Sequence, residues 1–495
     1  MSRRAAGSTV LVDILVNERR TSPDIDIKDA KEVDVCVIGA GYVGLVTSCA
    51  LAHLGNNVVL VEANKQKLEL LKAGQTPFFE PGLDDILAAL HDTDVLRFTD
   101  NIEDGVKKSE IIFIAVGTPP KSSGEPDLSQ VMAVAKAIGA ALDTTRARLI
   151  VNKSTVPVGS GNWVEMLVSQ GVQALQTVSA RSGRAEMPCF QVASNPEFLR
   201  EGSALHDTFY PDRIVLGCTD ETSAELLRTL YKPIIRQTFD PPSGVPRPPK
   251  MENVPVLITD LASAEMIKYS ANAFLAMKIS FANEIANLCE KVGADVRQVA
   301  RGIGLDTRIG RQFLNAGVGW GGSCFGKDVN ALIDVAREYN CSTSLLEATL
   351  KVNTSQRAQL ITKLQEELKI IKGRTIGLMG LSFKPDTDDL RDAPSLAIAS
   401  LLQKMGAQVR AYDPVSNEAC ERMHADLNII YCRDVQQLAE GVDALVLVTE
   451  WEEFKVQNWN ELGKLMRKRL IIDGRNCLPE DQLRDAGFTY RGIGH

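Results

Sequence analysis

The sequence predicts an α/β protein made of two Rossmann-like doubly wound sheet domains joined by a long central helix and a helical middle domain. Three observations predict it. A strand, turn, helix alternation begins at Val33; helical spacing without Pro or Gly runs over 260–292; and the strand, glycine, helix pattern returns at Arg374. Such alternation produces right-handed crossovers and parallel sheets covered on both faces. A chain of 495 residues, 44% of them hydrophobic, is too long for one core and suits two to three domains.

Taken in order, residues 1–32 read as a poorly ordered extension. Their short apolar patch is interrupted by Asp13 and followed by Glu18, Asp24 and Asp26, which suits neither a secretory nor a transit segment. An NAD-binding domain is expected over 33–240, with strands at 33–38, 57–61, 110–116, 148–152, 191–194 and 213–217. The stretches 171–190, polar and without period, and 239–255, rich in Pro and Gly, read as surface insertions. A helical central and dimerisation domain is expected over 256–368, its helices at 260–292, 328–339 and 345–368. The second sheet domain, over 369–495, has strands at 374–379, 408–412, 444–448 and 470–472 and a helix at 395–405.

Bulk properties exclude some partners. The formal net charge is -8 and Lys and Arg are scattered, so nothing draws nucleic acid. The longest apolar runs, 111–116 and 444–448, are strand-sized and far below the ~20 residues of a membrane helix. Ten cysteines without a CxxC pair point to reduced thiols and a cytoplasmic location.

Gly39, Gly41 and Gly44 form GxGxxG directly after a strand and at the start of a helix, with Glu62 ending the next strand. The first glycine permits the turn, the second lets backbone approach a pyrophosphate, and the third allows close packing, while the helix amino terminus supplies N–H donors. Glu62 would bond a ribose diol and repel a 2'-phosphate, favouring NAD over NADP. The second sheet has Gly377 and Gly380 but no full fingerprint, so a different ligand is expected there.

Cys324 ends a glycine-rich loop, Gly317-Val-Gly-Trp-Gly-Gly-Ser-Cys324, that leads into a helical pattern. With Ser323 as N-cap, Cys324 would take the first helical position, where the helix dipole and Lys327 would lower the thiol pKa. Asp328 would project from the same face one turn later.

Separated motifs, in order, carry a resemblance: GAGYVG at 39–44, GTP at 117–119, STVPVG at 154–159, NPEFLREG at 195–202, PDRIVLG at 211–217, KYSANAFLAMKISFANE at 268–284, GGSCFGKD at 321–328, FKPDTDDLR at 383–391 and DGRN at 473–476. The chain resembles the UDP-glucose/GDP-mannose dehydrogenase family. The resemblance implies a two-step oxidation of a nucleotide-sugar primary alcohol to a carboxylate with NAD. Cys324 would capture the aldehyde and form a thiohemiacetal, then a thioester. It further implies that Lys268 and Asn272 stabilise the oxyanion, and that Thr155, Glu197 and Asp328 position and activate water. For the cofactor it adds Tyr42, Val43, Lys67, Thr118, Thr155, Glu201, Lys327 and Arg391. For the nucleotide sugar it adds Glu197, Phe198, Leu199, Phe313, Gly321, Phe383, Lys384 and Arg475, with Arg308 from a neighbouring subunit.

Phe325 to Asp328 favour UDP-glucose as donor over GDP-mannose or a UDP-N-acetylhexosamine. A one-step hydroxyacid-type dehydrogenase would have no use for Cys324, and a non-catalytic nucleotide-sugar binder would need none of the catalytic residue types. The length of the central helix, with apolar residues on more than one side, predicts a homodimer or higher homo-oligomer.

Overall fold

Strands such as Ile111–Ile114 and Ala444–Leu447 are buried along their whole length, as strands must be when helices cover both faces of a sheet. The computed structural model describes residues 33–91, 93–121, 125–179 and 187–495, and Val33–His495 forms one unit. The expected extension, 1–32, lies outside the described residues.

The first sheet contains β1 (Asp34–Ile38), β2 (Asn57–Val61), β3 (Leu96–Thr99), β4 (Ile111–Ile114), β5 (Arg148–Asn152), β6 (Phe190–Ser194), β7 (Ile214–Gly217) and β8 (Val256–Thr259). Their order is β3-β2-β1-β4-β5-β6-β7-β8, parallel except for the β6–β7 pair. The second sheet contains β9 (Thr375–Met379), β10 (Gln408–Tyr412), β11 (Ile429–Tyr431), β12 (Ala444–Leu447), β13 (Leu470–Asp473) and β14 (Thr489–Arg491), in the order β11-β10-β9-β12-β13-β14, all parallel. Both sheets reverse their winding beside the first strand, at β1/β4 and β9/β12. Ligands of doubly wound sheets sit at the carboxyl ends of the strands flanking such a reversal. The predicted fold class is the one observed.

Between the sheets in sequence runs the helix Leu261–Val292, 32 residues long. Asp260 caps its start by accepting from Ser263 N, and Gly293, at φ 74°, ends it. The helices Phe325–Glu338 and Ser344–Leu368 pack against it.

Four differences from the sequence reading have physical reasons. Strands β3, β8, β11 and β14 were not anticipated; each has only three or four residues, several of them exposed, so none is long enough to show a two-residue alternation. The helix Ser160–Ser179 continues into the stretch expected to be an insertion from 171, because one apolar face packs on the neighbouring helix Ser129–Ala141; 180–186 lie outside the described residues. Segment 239–255 is held inward: Phe239, Val245 and Val254 join the core of the first sheet, and Tyr210 donates its hydroxyl to Val245 O at 3.0 Å. That sheet then resumes with β8, beyond residue 240. No described helix is long and apolar enough to cross a membrane.

The glycine-rich loop is clamped by amide side chains rather than by regular structure. Asn283 accepts from Gly317 N at 2.8 Å, and Asn353 both accepts from Trp320 N at 2.8 Å and donates to Trp320 O at 3.0 Å. Trp320 donates its indole N–H to Ser280 Oγ at 3.2 Å, while the second sheet holds the loop through Val318 N to Gly474 O and Gly322 N to Arg391 O. Buried backbone groups need partners, and here two helices and a sheet supply them. Replacing Asn353 with Leu strands Trp320 N and leaves Trp320 O only the long 3.4 Å bond from Arg357, and chemical denaturation is expected to report a loss of about 2–3 kcal/mol with an unchanged m-value.

Candidate active site

Lys268 and Asn272 lie one turn apart on the buried face of the long helix, 5% and 9% exposed. Lys268 Nζ donates to Glu197 Oε1 at 3.0 Å and also to Glu197 O. Glu197, just past β6, is further fixed by accepting from Leu199 N at 2.8 Å. Asn272 Nδ2 donates to Asp328 Oδ2 at 2.6 Å, and Lys327 Nζ reaches the other oxygen, Oδ1, at 2.7 Å. Two buried carboxylates are therefore each held by a cation and an amide N–H, the arrangement buried charges require.

Cys324, an exposed residue, stands at the edge of this cluster. It is the N-cap of Phe325–Glu338, not the first helical residue as the sequence had suggested; Ser323 lies one residue outside and contacts Cys324 Sγ at 3.5 Å. The thiol pKa is raised rather than lowered. The surrounding protein desolvates it, Lys268 works in the opposite direction, and Asp328 and Glu197 add to the rise. The expected role of Lys327 fails because its ammonium is committed to Asp328; the cation that favours the thiolate is Lys268. Burial by itself would lower Lys268, but Glu197, Cys324 and Asp328 hold its pKa above the usual value, so it stays charged.

The GxGxxG turn is built from close contacts. A Cβ at Gly44 would lie 1.8 Å from Gly39 O, so helix packing forbids any other residue there. A Cβ at Gly41 would meet nothing within 4 Å; its need for glycine comes from outside the protein, as expected where a pyrophosphate approaches backbone. Glu62 Oε2 accepts from Ala40 N at 2.9 Å and Oε1 from Asn64 N at 2.7 Å, which aims the carboxylate over the turn. Val43 packs on the first core, and Lys67 is half-buried on the helix Lys65–Lys72. Thr118 Oγ1 donates to Thr155 O at 2.8 Å, tying together the loops after β4 and β5.

Loops of the second sheet cross to the first. Tyr42 stacks on Phe78 and donates to Asp388 Oδ1 at 3.0 Å. Arg391 bonds Glu201 at 3.0 Å and Asp389 at 2.7 Å. Burial, with Asp389 adjoining, raises the pKa of Glu201; burial pulls on Arg391 too, but its two carboxylates hold it more firmly charged. Phe383 presses its ring against the loop, 2.7 Å from where a Cβ on Gly322 would lie, and Lys384 lies over that ring. A Cβ on Gly321 would lie 2.4 Å from Asp392 O. Arg475, after β13, donates to Val448 O, Gly319 O and Phe383 O at 2.7, 3.1 and 3.2 Å, so it joins the second sheet to the glycine loop. Phe198 lies between the Arg213 guanidinium at 3.7 Å and Lys268 at 5.4 Å. Phe313 adopts φ 63° and packs edge-on against Phe325.

Arg308 is not part of this assembly. Its side chain is 87% exposed and paired with Asp306. Conversely, Lys153, Asp389 and Glu265 belong to the site region and were not anticipated. Glu265 accepts from Gly159 N and Gly161 N at 2.6 and 2.8 Å, anchoring the loop after β5 to the long helix. The signal for Lys153 was a lysine directly after a buried strand and two residues before Thr155. Among the described residues no cluster of His, Cys, Asp and Glu could hold a metal ion.

Comparison with known proteins agrees with this geometry. The UDP-glucose/GDP-mannose dehydrogenase family models match in three parts: the NAD binding domain over 33–235, the central domain over 262–355 and the UDP binding domain over 377–480. The chain is 44% identical over 460 residues to UDP-glucose 6-dehydrogenase TuaD of Bacillus subtilis, covering 93% of each chain. It is 42% identical to a UDP-glucose 6-dehydrogenase of Pseudomonas aeruginosa, covering 93% of this chain and 97% of the other. Among solved structures, a UDP-glucose dehydrogenase from Pyrobaculum islandicum superposes with a TM-score of 0.83 at 35% identity, covering 95% and 99% of the two chains. A UDP-D-ManNAc dehydrogenase from Pyrococcus horikoshii gives 0.75 at 27%, covering 93% and 99%. The chain belongs to the UDP-glucose/GDP-mannose dehydrogenase family.

Proposed function

We propose that this chain is an NAD-dependent oxidoreductase that converts UDP-glucose to UDP-glucuronate in two successive oxidations. The observation that carries the reading is the placement of an accessible Cys324 against Lys268, Asn272, Asp328 and Glu197, between the carboxyl ends of two doubly wound sheets. Support for this donor over its N-acetyl relatives comes from the higher identity to UDP-glucose enzymes.

The open face at Gly41, Glu62 aimed over the turn, and Arg391 would hold a dinucleotide on the first sheet, where NAD would supply the hydride acceptor for C6 of the sugar. Phe383, Lys384 and Arg475 would hold the nucleotide part on the second sheet, where a lysine and an arginine suit a diphosphate. Lys268 and Asn272 then face the oxygen on C6, and a fixed ammonium and amide stabilise the negative charge that develops as the alcohol proton leaves. The thiolate of Cys324 adds to the resulting aldehyde. The thiohemiacetal keeps C6 in place for the loss of its hydroxyl proton and of a second hydride, which a second NAD would accept, leaving a thioester. Water, oriented by Glu197, Asp328 and Thr155, attacks the thioester carbon, and the sulfur leaves as thiolate, releasing the carboxylate.

We also infer a homodimer. Phe274, Phe281 and Leu288 are spaced by seven residues along the long helix and are 57%, 50% and 57% exposed, an apolar stripe that a second copy would cover. Arg308, exposed, outside its own chain's cluster and paired with Asp306, would serve a neighbouring copy. All ten cysteines are free, which supports a reducing, cytoplasmic location.

Spectrophotometry with UDP-glucose, GDP-mannose and UDP-N-acetylhexosamines is expected to give two NADH per UDP-glucose and little from the others; a single NADH per sugar, or a preference for another donor, would reject the assignment. Cys324→Ser should lower UDP-glucuronate formation about a thousandfold or more while leaving nucleotide-sugar binding intact by calorimetry. Because the thiol pKa is raised, the thiolate fraction grows with pH, so alkylation of Cys324 by iodoacetamide should accelerate through the alkaline range. Lys268→Met removes the lowering cation, moves that midpoint further up, and should cut kcat about a hundredfold or more. Phe281→Asp should yield monomers by light scattering with little change in folding.

A further inference from the structure

Lys153 is a partly buried lysine behind the catalytic cluster, and the mechanism above makes no use of it. It follows β5 directly, and its backbone N–H continues the sheet by donating to Ile114 O. Its ammonium donates to Asn195 Oδ1 at 3.0 Å and lies about 6 Å from the ring centres of Phe113 and Tyr231, at 5.9 and 6.0 Å. The same Asn195 oxygen accepts from Tyr231 OH at 2.6 Å, and Asn195 Nδ2 donates to Val215 O at 2.9 Å. Two donors on one oxygen and an acceptor on the amide leave Asn195, 3% exposed, a single orientation.

Burying an ammonium costs several kcal/mol, and one neutral amide and two ring faces do not offset that. Burial accordingly lowers the pKa of Lys153 to about 8, with Glu197 opposing the fall and Lys268 adding to it. A methionine would fill the space without that cost. The cation's placement offers a reason for its presence. Asn195 begins the turn Asn195-Pro196-Glu197, and Glu197 is the carboxylate that grips Lys268. Lys153 and Lys268 line the same cavity, with Glu265, Tyr269 and Thr155 also on its wall.

We propose that Lys153 is a positioning residue for the oxidation: through Asn195 it fixes the turn that carries Glu197, and its charge acts across the shared cavity on the Glu197–Lys268 pair. The groups facing it are Glu197 from that turn, Lys268, Glu265 and Tyr269 from the long helix, and Tyr231 after the helix Glu221–Leu230. Removing the positive charge lets Lys268 hold its proton more tightly. Lys268 acts charged, so the alkaline limb of the kcat–pH profile moves to higher pH in its absence.

The inference rests on the proposed oxidation of UDP-glucose, and the test separates the two. Native enzyme and Lys153→Met are compared for kcat, for KM of UDP-glucose and NAD, for the pH profile of kcat, and for thermal unfolding. Expected is a fall in kcat of about ten- to a hundredfold with each KM within about threefold, and an upward shift of the alkaline limb. Lys153→Gln keeps an N–H for Asn195 without the charge; it should regain part of kcat yet retain the shifted profile, and it serves if the Met variant does not fold. Native-like kcat per folded enzyme with an unmoved profile in either variant, or a loss confined to the unfolding temperature, would overturn the proposal. Absence of UDP-glucose-dependent NADH in the native enzyme would instead refute the underlying function.

Discussion

The ion pair between Lys268 and Glu197 is the interaction on which the site depends. Lys268 is buried on the long helix, and Glu197 belongs to a turn at the end of β6. Neither charge would be tolerated there alone, since a buried charge without a partner costs several kcal/mol. Their union joins the long helix to the first sheet and sets a charged ammonium under Cys324. Because burial opposes that charge and Glu197, Cys324 and Asp328 favour it, the protonation of Lys268 and the ionisation of the thiol are parts of one balance.

A second constraint is the glycine loop that delivers the thiol. It has no ladder of its own, so Asn283, Asn353 and Ser280 from two helices substitute for one, and Arg475 and Gly474 bring in the second sheet. The loop thus senses both the helical layer and the second sheet. Arg391 and Tyr42 bridge between the sheets in the same way, through Glu201 and Asp388. Three separate stretches of sequence converge on one cleft because each sheet presents the carboxyl ends of its central strands at a winding reversal.

Much of this is legible in the sequence. The GxGxxG turn and Glu62 could be located from spacing, since the period of a strand followed by that of a helix leaves little freedom for the turn between them. Lys268 and Asn272 could be placed on one helix face for the same reason. Short strands such as β11 and β14 escaped because three residues carry too little periodicity, and the helical continuation to Ser179 escaped because its stabilisation comes from a neighbouring helix rather than from its own composition.

Sequence alone determined the chemistry available: a cysteine after glycines, paired carboxylates, two lysines, a dinucleotide fingerprint and two sheet patterns, all set by local spacing. Tertiary structure alone decided which charge meets which. It committed Lys327 to Asp328 and left Lys268 to favour the thiolate. It raised the thiol pKa and left Arg308 in solvent, and it placed Lys153 behind Glu197. Ionisation depends on distances and burial summed over residues far apart in the chain, and no local pattern encodes those sums.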